Sequence, residues 1–191
     1  MRVAVSGSHS VGKSTLIGRF LGRHPEYAHE PEAFEVLADD ITLTDSGAPT
    51  PDGLLLLLNY TLAALDSRAA HACVIFERSP VDYLAYAAAS TGSWQPEETR
   101  EFLRTQKPIV RASMRHLELV AYLPVPTAEP VRRRGENRAL RRRVDACLRR
   151  ALFDDKYELF GHRGQPRVVA LPPGLEKQLG ELSRLVRALD G

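Results

Sequence analysis

The feature that most restricts this chain is the octet Gly7-Ser8-His9-Ser10-Val11-Gly12-Lys13-Ser14, which lies between a β-branched run and an amphipathic one. Residues 2–6 (RVAVS) are short and β-branched, and read as a buried parallel strand. From Lys13 onward Leu16, Ile17, Phe20 and Leu21 share one helical face, and Gly22 with Pro25 supplies the stop. The octet is therefore a loop that must turn a strand into a helix. Gly7 and Gly12 permit backbone angles closed to other residues, so successive N–H groups can point inward at a helix N-terminus. That geometry makes a nest for an anion.

The octet satisfies G-x-x-x-x-G-K-[ST] in full, in the strand–loop–helix context that gives the pattern its meaning. Gly7, Ser8, His9, Ser10, Val11, Gly12, Lys13, Ser14 and Thr15 are thus expected to hold the phosphates of a purine nucleoside triphosphate, with ATP the expected nucleotide. Lys13 would place a point charge on the β- and γ-phosphates. The Ser14 hydroxyl would be a ligand of Mg2+, whose other positions go to phosphates and water. A glycine–serine loop that merely contains a lysine is the plainer reading, and it leaves the flanking strand and helix unused.

Further strands are expected at residues 27–29, 73–76, 117–123 and 167–171. Helices are expected from about residue 32 to 39 or 40, from Asp52 as N-cap to about 70, and over 81–90, 96–115, 131–154 and 175–189. Strands alternating with helices, each connection too long for a hairpin, predict an α/β fold with a parallel sheet covered on both faces. The expectation is a P-loop NTPase three-layer sandwich with a five-stranded parallel sheet, as a single domain over 1–191.

Composition narrows the function classes. With 191 residues, 43% hydrophobic and 26% charged, the chain has the make-up of a soluble globular protein rather than a disordered one. A net charge of +2 does not imply a nucleic-acid or membrane surface. The apolar run from Leu54 is broken by Asn59, Thr61 and Asp66, well short of the roughly 20 residues that span a bilayer. Met1 leads straight into a strand without the features of a signal peptide, so a cytoplasmic location is expected. Cys73 and Cys147 have no metal-ligand spacing and are expected to pack as reduced thiols. A homodimer is compatible with the sequence.

A phosphate loop needs a partner at the carboxyl ends of the neighbouring strands. Glu30, after the second expected strand, and Glu77-Arg78, after the third, meet that condition. The plainer readings are a helix-start carboxylate for Glu30 and a structural ion pair for Glu77 with Arg78. Arginines at 132, 133, 134, 138, 141, 142, 143, 149 and 150 form a run that repels itself within a helix unless neutralised. A solvated face paired with Asp145, Asp154 and Asp155 is one outcome. No aromatic residues interleave to stack on bases, which argues against a nucleic-acid partner. His9 is expected to point outward, Asn59 and Tyr60 to line the core, and Trp94 to lie in a surface loop.

GSHSVGKST, the pair Glu30-Pro31 after His29, the triplet Glu77-Arg78-Ser79 and the arginine-rich segment together resemble the deoxynucleoside kinase branch of the P-loop kinases. They are similar as well to the nicotinamide-riboside-kinase-like ATPases. The resemblance implies that Glu30 accepts a proton from the attacking hydroxyl, that Glu77 joins Ser14 at the magnesium shell, and that Arg78 steadies the phosphoryl or acceptor group. Lys13, Glu30 and Arg78 are the implied catalytic residues, and Glu30, Arg78 and Asp82 the implied acceptor contacts. Asp82 departs from the family pattern by one residue. An arginine-rich lid over about 127–143 is implied, with Arg134, Arg138 and Arg142 closing on the phosphates. The expected activity moves the γ-phosphate of ATP to a hydroxyl of a nucleoside or similar small metabolite. A nucleotide kinase with a phosphate acceptor, and a regulatory ATPase or nucleotide switch acting through protein partners, are the alternatives. No Asn-Lys-x-Asp motif for guanine is present.

Overall fold

Strand β1 (Arg2–Ser6) is buried along its whole length because a strand lies on each side of it. The computed structural model, which describes residues 1–45, 47–68, 73–90, 92–126, 137–160 and 164–190, contains β2 (Ala28–Glu30), β3 (Val74–Glu77), β4 (Leu119–Tyr122) and β5 (Arg167–Ala170) beside it. The five strands form one parallel sheet in the order β2-β3-β1-β4-β5. Val5 stands opposite Glu77, and Ser6 opposite Tyr122. The carboxyl ends of the three central strands therefore meet at the edge where the glycine loop begins.

Side chains alternate across the sheet with the period of a pleated strand. Val3, Val5, Ile75, Leu119 and Ala121 pack with helices α1 (Lys13–Leu21) and α7 (Leu175–Asp190). Ala4, Val74, Phe76, Val120 and Tyr122 take the other face, with helices α3 (Pro51–Ser67), α4 (Pro80–Ala89), α5 (Pro96–Met114) and α6 (Arg138–Phe153). This is the expected three-layer sandwich. Helix α4 is buried on nearly every side, and its alanines let α3, α5 and α6 close around it. Among the described residues no helix is long and apolar enough to cross a membrane.

Several boundaries differ from expectation. Glu30 and Glu77 end their strands rather than following them. The helix expected after Glu30 is broken into a short α2 (Ala33–Val36) and a 3-10 turn at Ala38–Asp40. Helix α3 is capped by Thr50, whose hydroxyl accepts from the Gly53 amide at 3.2 Å; Asp52 lies inside the first turn, where its charge meets the helix dipole. Trp94 is buried, with its indole N–H donated to the Pro49 carbonyl at 2.9 Å and its ring edge-on to Phe102. Arginine crowding does not prevent α6. Its stripe of Leu140, Val144, Cys147, Leu148, Ala151 and Leu152 is buried, and that burial outweighs surface repulsion of a few tenths of a kcal/mol per pair.

Replacing Thr50 by Ala should lower the unfolding free energy by about 1 kcal/mol, whereas Asp52→Ala should cost about half that or less. Urea unfolding of the two variants beside the parent checks the order.

Candidate active site

The glycine loop is held open by close packing at its root and by backbone conformation at its tip. A Cβ on Gly7 would stand 2.8 Å from the Leu123 carbonyl oxygen, so the end of β4 leaves no room for a side chain. Gly12 has space around it but a φ of 102°, which only glycine adopts without strain. Its carbonyl accepts the first bond of α1, from the Leu16 amide at 3.0 Å. Ser10, Gly12, Ser14 and Thr15 are exposed at the mouth of the loop, while Ser8 and Lys13 are buried beneath it.

Lys13 occupies the middle of a charged cluster. Its Nζ donates to the Ser8 carbonyl at 3.4 Å and lies 3.4 Å from Glu32 Oε2 and 3.6 Å from Glu77 Oε1. Burial, then the nearby Arg78 charge, lower its pKa, and the two carboxylates oppose them. Glu77 accepts the Ser14 hydroxyl on Oε1 at 2.9 Å. Its other oxygen is buried and has no hydrogen-bond partner among the described residues. Burial pushes the Glu77 carboxyl upward against the pull of Lys13 and Ser14. A hydroxyl beside a carboxylate with one unused oxygen is a donor set that fits a hard, oxygen-seeking cation.

Arg78 leaves β3 with a φ of 81°, in the left-handed region, and this turns its buried side chain back toward the loop. Nε donates to Glu32 Oε1 at 2.5 Å, Nη1 to the Gly7 carbonyl at 2.8 Å and to Asp82 Oδ1 at 3.3 Å, and Nη2 to the Tyr86 hydroxyl at 3.2 Å. The guanidinium carbon stands 5.0 Å from the centre of the Tyr86 ring. Burial works against ionisation of Glu32, but Arg78 and then Lys13 outweigh it and hold the carboxyl down at about 2.

The structure places the two carboxylates of Glu30-Pro31-Glu32 in different surroundings. Glu30 accepts from the Tyr60 hydroxyl at 3.1 Å and from Arg68 Nε at 3.2 Å, so its side chain is engaged with α3 and its far end. Glu32, two residues on, faces Lys13 and Arg78. Its signal was the second carboxylate of Glu30-Pro31-Glu32, placed just before a helix. Asp82 is fully buried and takes its bonds from Gly7, Arg78 and Ser79. His9 turns inward far enough for Nδ1 to reach the Tyr86 hydroxyl at 3.3 Å.

On the arginine side, Arg134 lies outside the described residues, as does most of the expected lid. Arg138 starts α6 half-buried and Arg142 is exposed, while Arg141 is the buried arginine of the helix. Asp145 Oδ1 receives the Tyr122 hydroxyl at 2.7 Å and the Val125 amide at 3.0 Å, which fixes the chain as it leaves β4.

A family model described as an AAA domain matches residues 2–165. No curated protein sequence matches. Among solved structures, deoxyadenosine kinase from M. mycoides with bound dATP superposes with a TM-score of 0.71 at 14% identity, over 98% of this chain and 100% of that one. Thymidylate kinase from Candida albicans gives 0.65 at 11% identity, over 99% and 92%. NadR in complex with NR gives 0.65 at 17% identity over 96% of this chain, which spans 48% of NadR. The sheet order, the glycine loop and these likenesses agree: the chain belongs to this AAA-domain family and has a P-loop kinase-like fold.

Proposed function

We propose that the protein is a magnesium-dependent phosphotransferase that moves the γ-phosphate of ATP to a hydroxyl of a nucleoside or similar small metabolite. The observation that carries this reading is the Glu32–Arg78 pair, 2.5 Å apart, facing Lys13 of the phosphate loop. Phosphoryl transfer asks a protein mainly for positioning and charge, with a carboxylate to orient the nucleophile. Glu32 supplies that carboxylate.

Amides of residues 7–14 would bind the β-phosphate, and Lys13 would leave its carboxylate partners for the β- and γ-phosphates. Losing Lys13 would relieve part of the pull that keeps Glu32 acidic. Its carboxylate then becomes a better acceptor for the hydroxyl proton as the nucleotide arrives. Ser14 and Glu77 would hold Mg2+, with the unpartnered Glu77 oxygen toward the ion. The ion would neutralise charge on the phosphate oxygens. Arg78 spends its bonds on Glu32, Gly7, Asp82 and Tyr86, and so is poorly placed to receive an acceptor's phosphate. This favours a hydroxyl acceptor over a phosphate one. The likeness in fold to deoxyadenosine kinase and thymidylate kinase supports a phosphotransferase, whichever the acceptor.

A panel of nucleosides and small hydroxyl metabolites with Mg-ATP should yield one phosphorylated product. Hydrolysis that needs no acceptor and rises with a protein partner would instead indicate a regulatory ATPase. Glu32→Gln should keep ATP affinity within a few-fold and lower kcat about 100-fold or more, whereas Glu30→Gln should change kcat far less. Glu77→Gln should raise the Mg2+ concentration needed for half-maximal rate. Because the Glu32 pKa is depressed in the fold, its stabilisation is complete above the ordinary carboxylate value of 4.5 and is lost as pH falls toward about 2. Chemical unfolding between pH 2 and 5 should show that slope in the parent and a shallower one in Glu32→Gln.

A further inference from the structure

Asp82 carries no exposed surface, and each of its oxygens has two partners. Oδ2 accepts from the Ser79 amide and the Ser79 hydroxyl, both at 3.0 Å, and Ser79 Oγ in turn accepts from Ser6 Oγ at 2.8 Å. Those contacts close a capping box at the start of α4. Oδ1 does something that a capping box does not require. It accepts from the Gly7 amide at 3.0 Å and from Arg78 Nη1 at 3.3 Å, joining the root of the phosphate loop to the arginine that aligns Glu32.

Arg78 needs such a hold. Its backbone is in the left-handed region, where a non-glycine residue stays only when its surroundings determine it. Asp82 and Tyr86, one helical turn apart on α4, grip the two Nη atoms, and Tyr86 also meets His9 of the loop. We infer that Asp82 is a positioning residue for phosphoryl transfer: with one carboxylate oxygen it sets the Glu32–Arg78 pair at a fixed distance from the phosphate loop. The inference rests on the phosphotransferase reading. An asparagine cannot replace it, because an amide has one acceptor oxygen, and its NH2 would face either Gly7 and Arg78 or the Ser79 amide.

The test is a double-mutant cycle of Asp82→Asn with Arg78→Ala, read on kcat, KM for ATP and thermal stability. It is accompanied by NMR exchange of the Arg78 Nε–H in the parent and in Asp82→Asn. In the parent background Asp82→Asn should lower kcat about 30- to 100-fold with KM for ATP within about threefold, the loss expected of a misplacement near 1 Å. In the Arg78→Ala background the same change should cost less than about threefold, while the fall in melting temperature persists in both. Exchange of the Arg78 Nε–H, which donates to Glu32, should quicken at least about tenfold as the loss of the Asp82 bond to Nη1 frees the guanidinium to shift. An equal kcat loss in both backgrounds, or unchanged Nε–H exchange, overturns the inference. The exchange readout needs no turnover, so it decides the matter even where no acceptor is phosphorylated and the kinase reading fails. If Asp82→Asn does not fold, Ser79→Ala removes one donor from Oδ2 and should quicken the exchange by a smaller factor; no change in that variant is equally fatal.

Discussion

Five charged side chains share a volume from which water is nearly excluded, and the rest of the site depends on how they are paired. Lys13, Glu77, Arg78 and Asp82 are at most 4% exposed, and the Glu32 side chain is 17% exposed. Buried charges are tolerable only when each meets an opposite charge and fills its hydrogen bonds. Two cations face three carboxylates, so the cluster has one acidic group more than it has cations. Glu77 stands beside Ser14, and its Oε2 has no hydrogen-bond partner among the described residues. A divalent cation there would bring the cluster to a net positive charge, which is what a polyphosphate requires.

The sheet makes this pairing geometrically necessary. Because β3 lies next to β1 with Val5 opposite Glu77, the residues just beyond the two strands must be close. The Arg78 amide extends the ladder by one bond, to the Val5 carbonyl at 3.0 Å. The chain then turns sharply into α4 at Pro80, and the left-handed backbone of Arg78 is what that turn needs. A conformation of this kind costs on the order of 1–3 kcal/mol. Charge-assisted bonds to Glu32 and Asp82, together with the Gly7 and Tyr86 contacts, offset it.

Features set by neighbouring residues could be read from the sequence, and features set by distant ones could not. The loop, its strand and its helix are contiguous, so residues 2–21 carry their own instructions. Four of the five strands were legible as short runs rich in apolar residues and bounded by turn residues, whereas β2, Ala28-His29-Glu30, carries little such signal. Trp94 looked like a surface residue because the carbonyl that takes its indole N–H, that of Pro49, lies 45 positions earlier in the chain. Asp82 was in plain view as the third helical residue after Ser79, but its bond to Gly7 crosses 75 positions. Nothing local to α4 announces that contact.

The different surroundings of Glu30 and Glu32 turn on register, a quantity that neither segment encodes alone. Strand β2 pairs with β3 so that Glu30 stands level with Phe76. Counting forward, Glu32 comes level with Arg78, about 7 Å further along the extended chain. Glu30 is therefore still inside the sheet, where Tyr60 and Arg68 reach it, and Glu32 has passed the edge, where the loop and the arginine lie. Strand β2 is an edge of the sheet, where a proline's missing N–H is tolerated, and Pro31 separates the two carboxylates into these different surroundings. A substrate for the phosphate loop must stand beyond the carboxyl ends of the strands. Of the two carboxylates flanking the proline, Glu32 is the one that stands beside Lys13 of that loop.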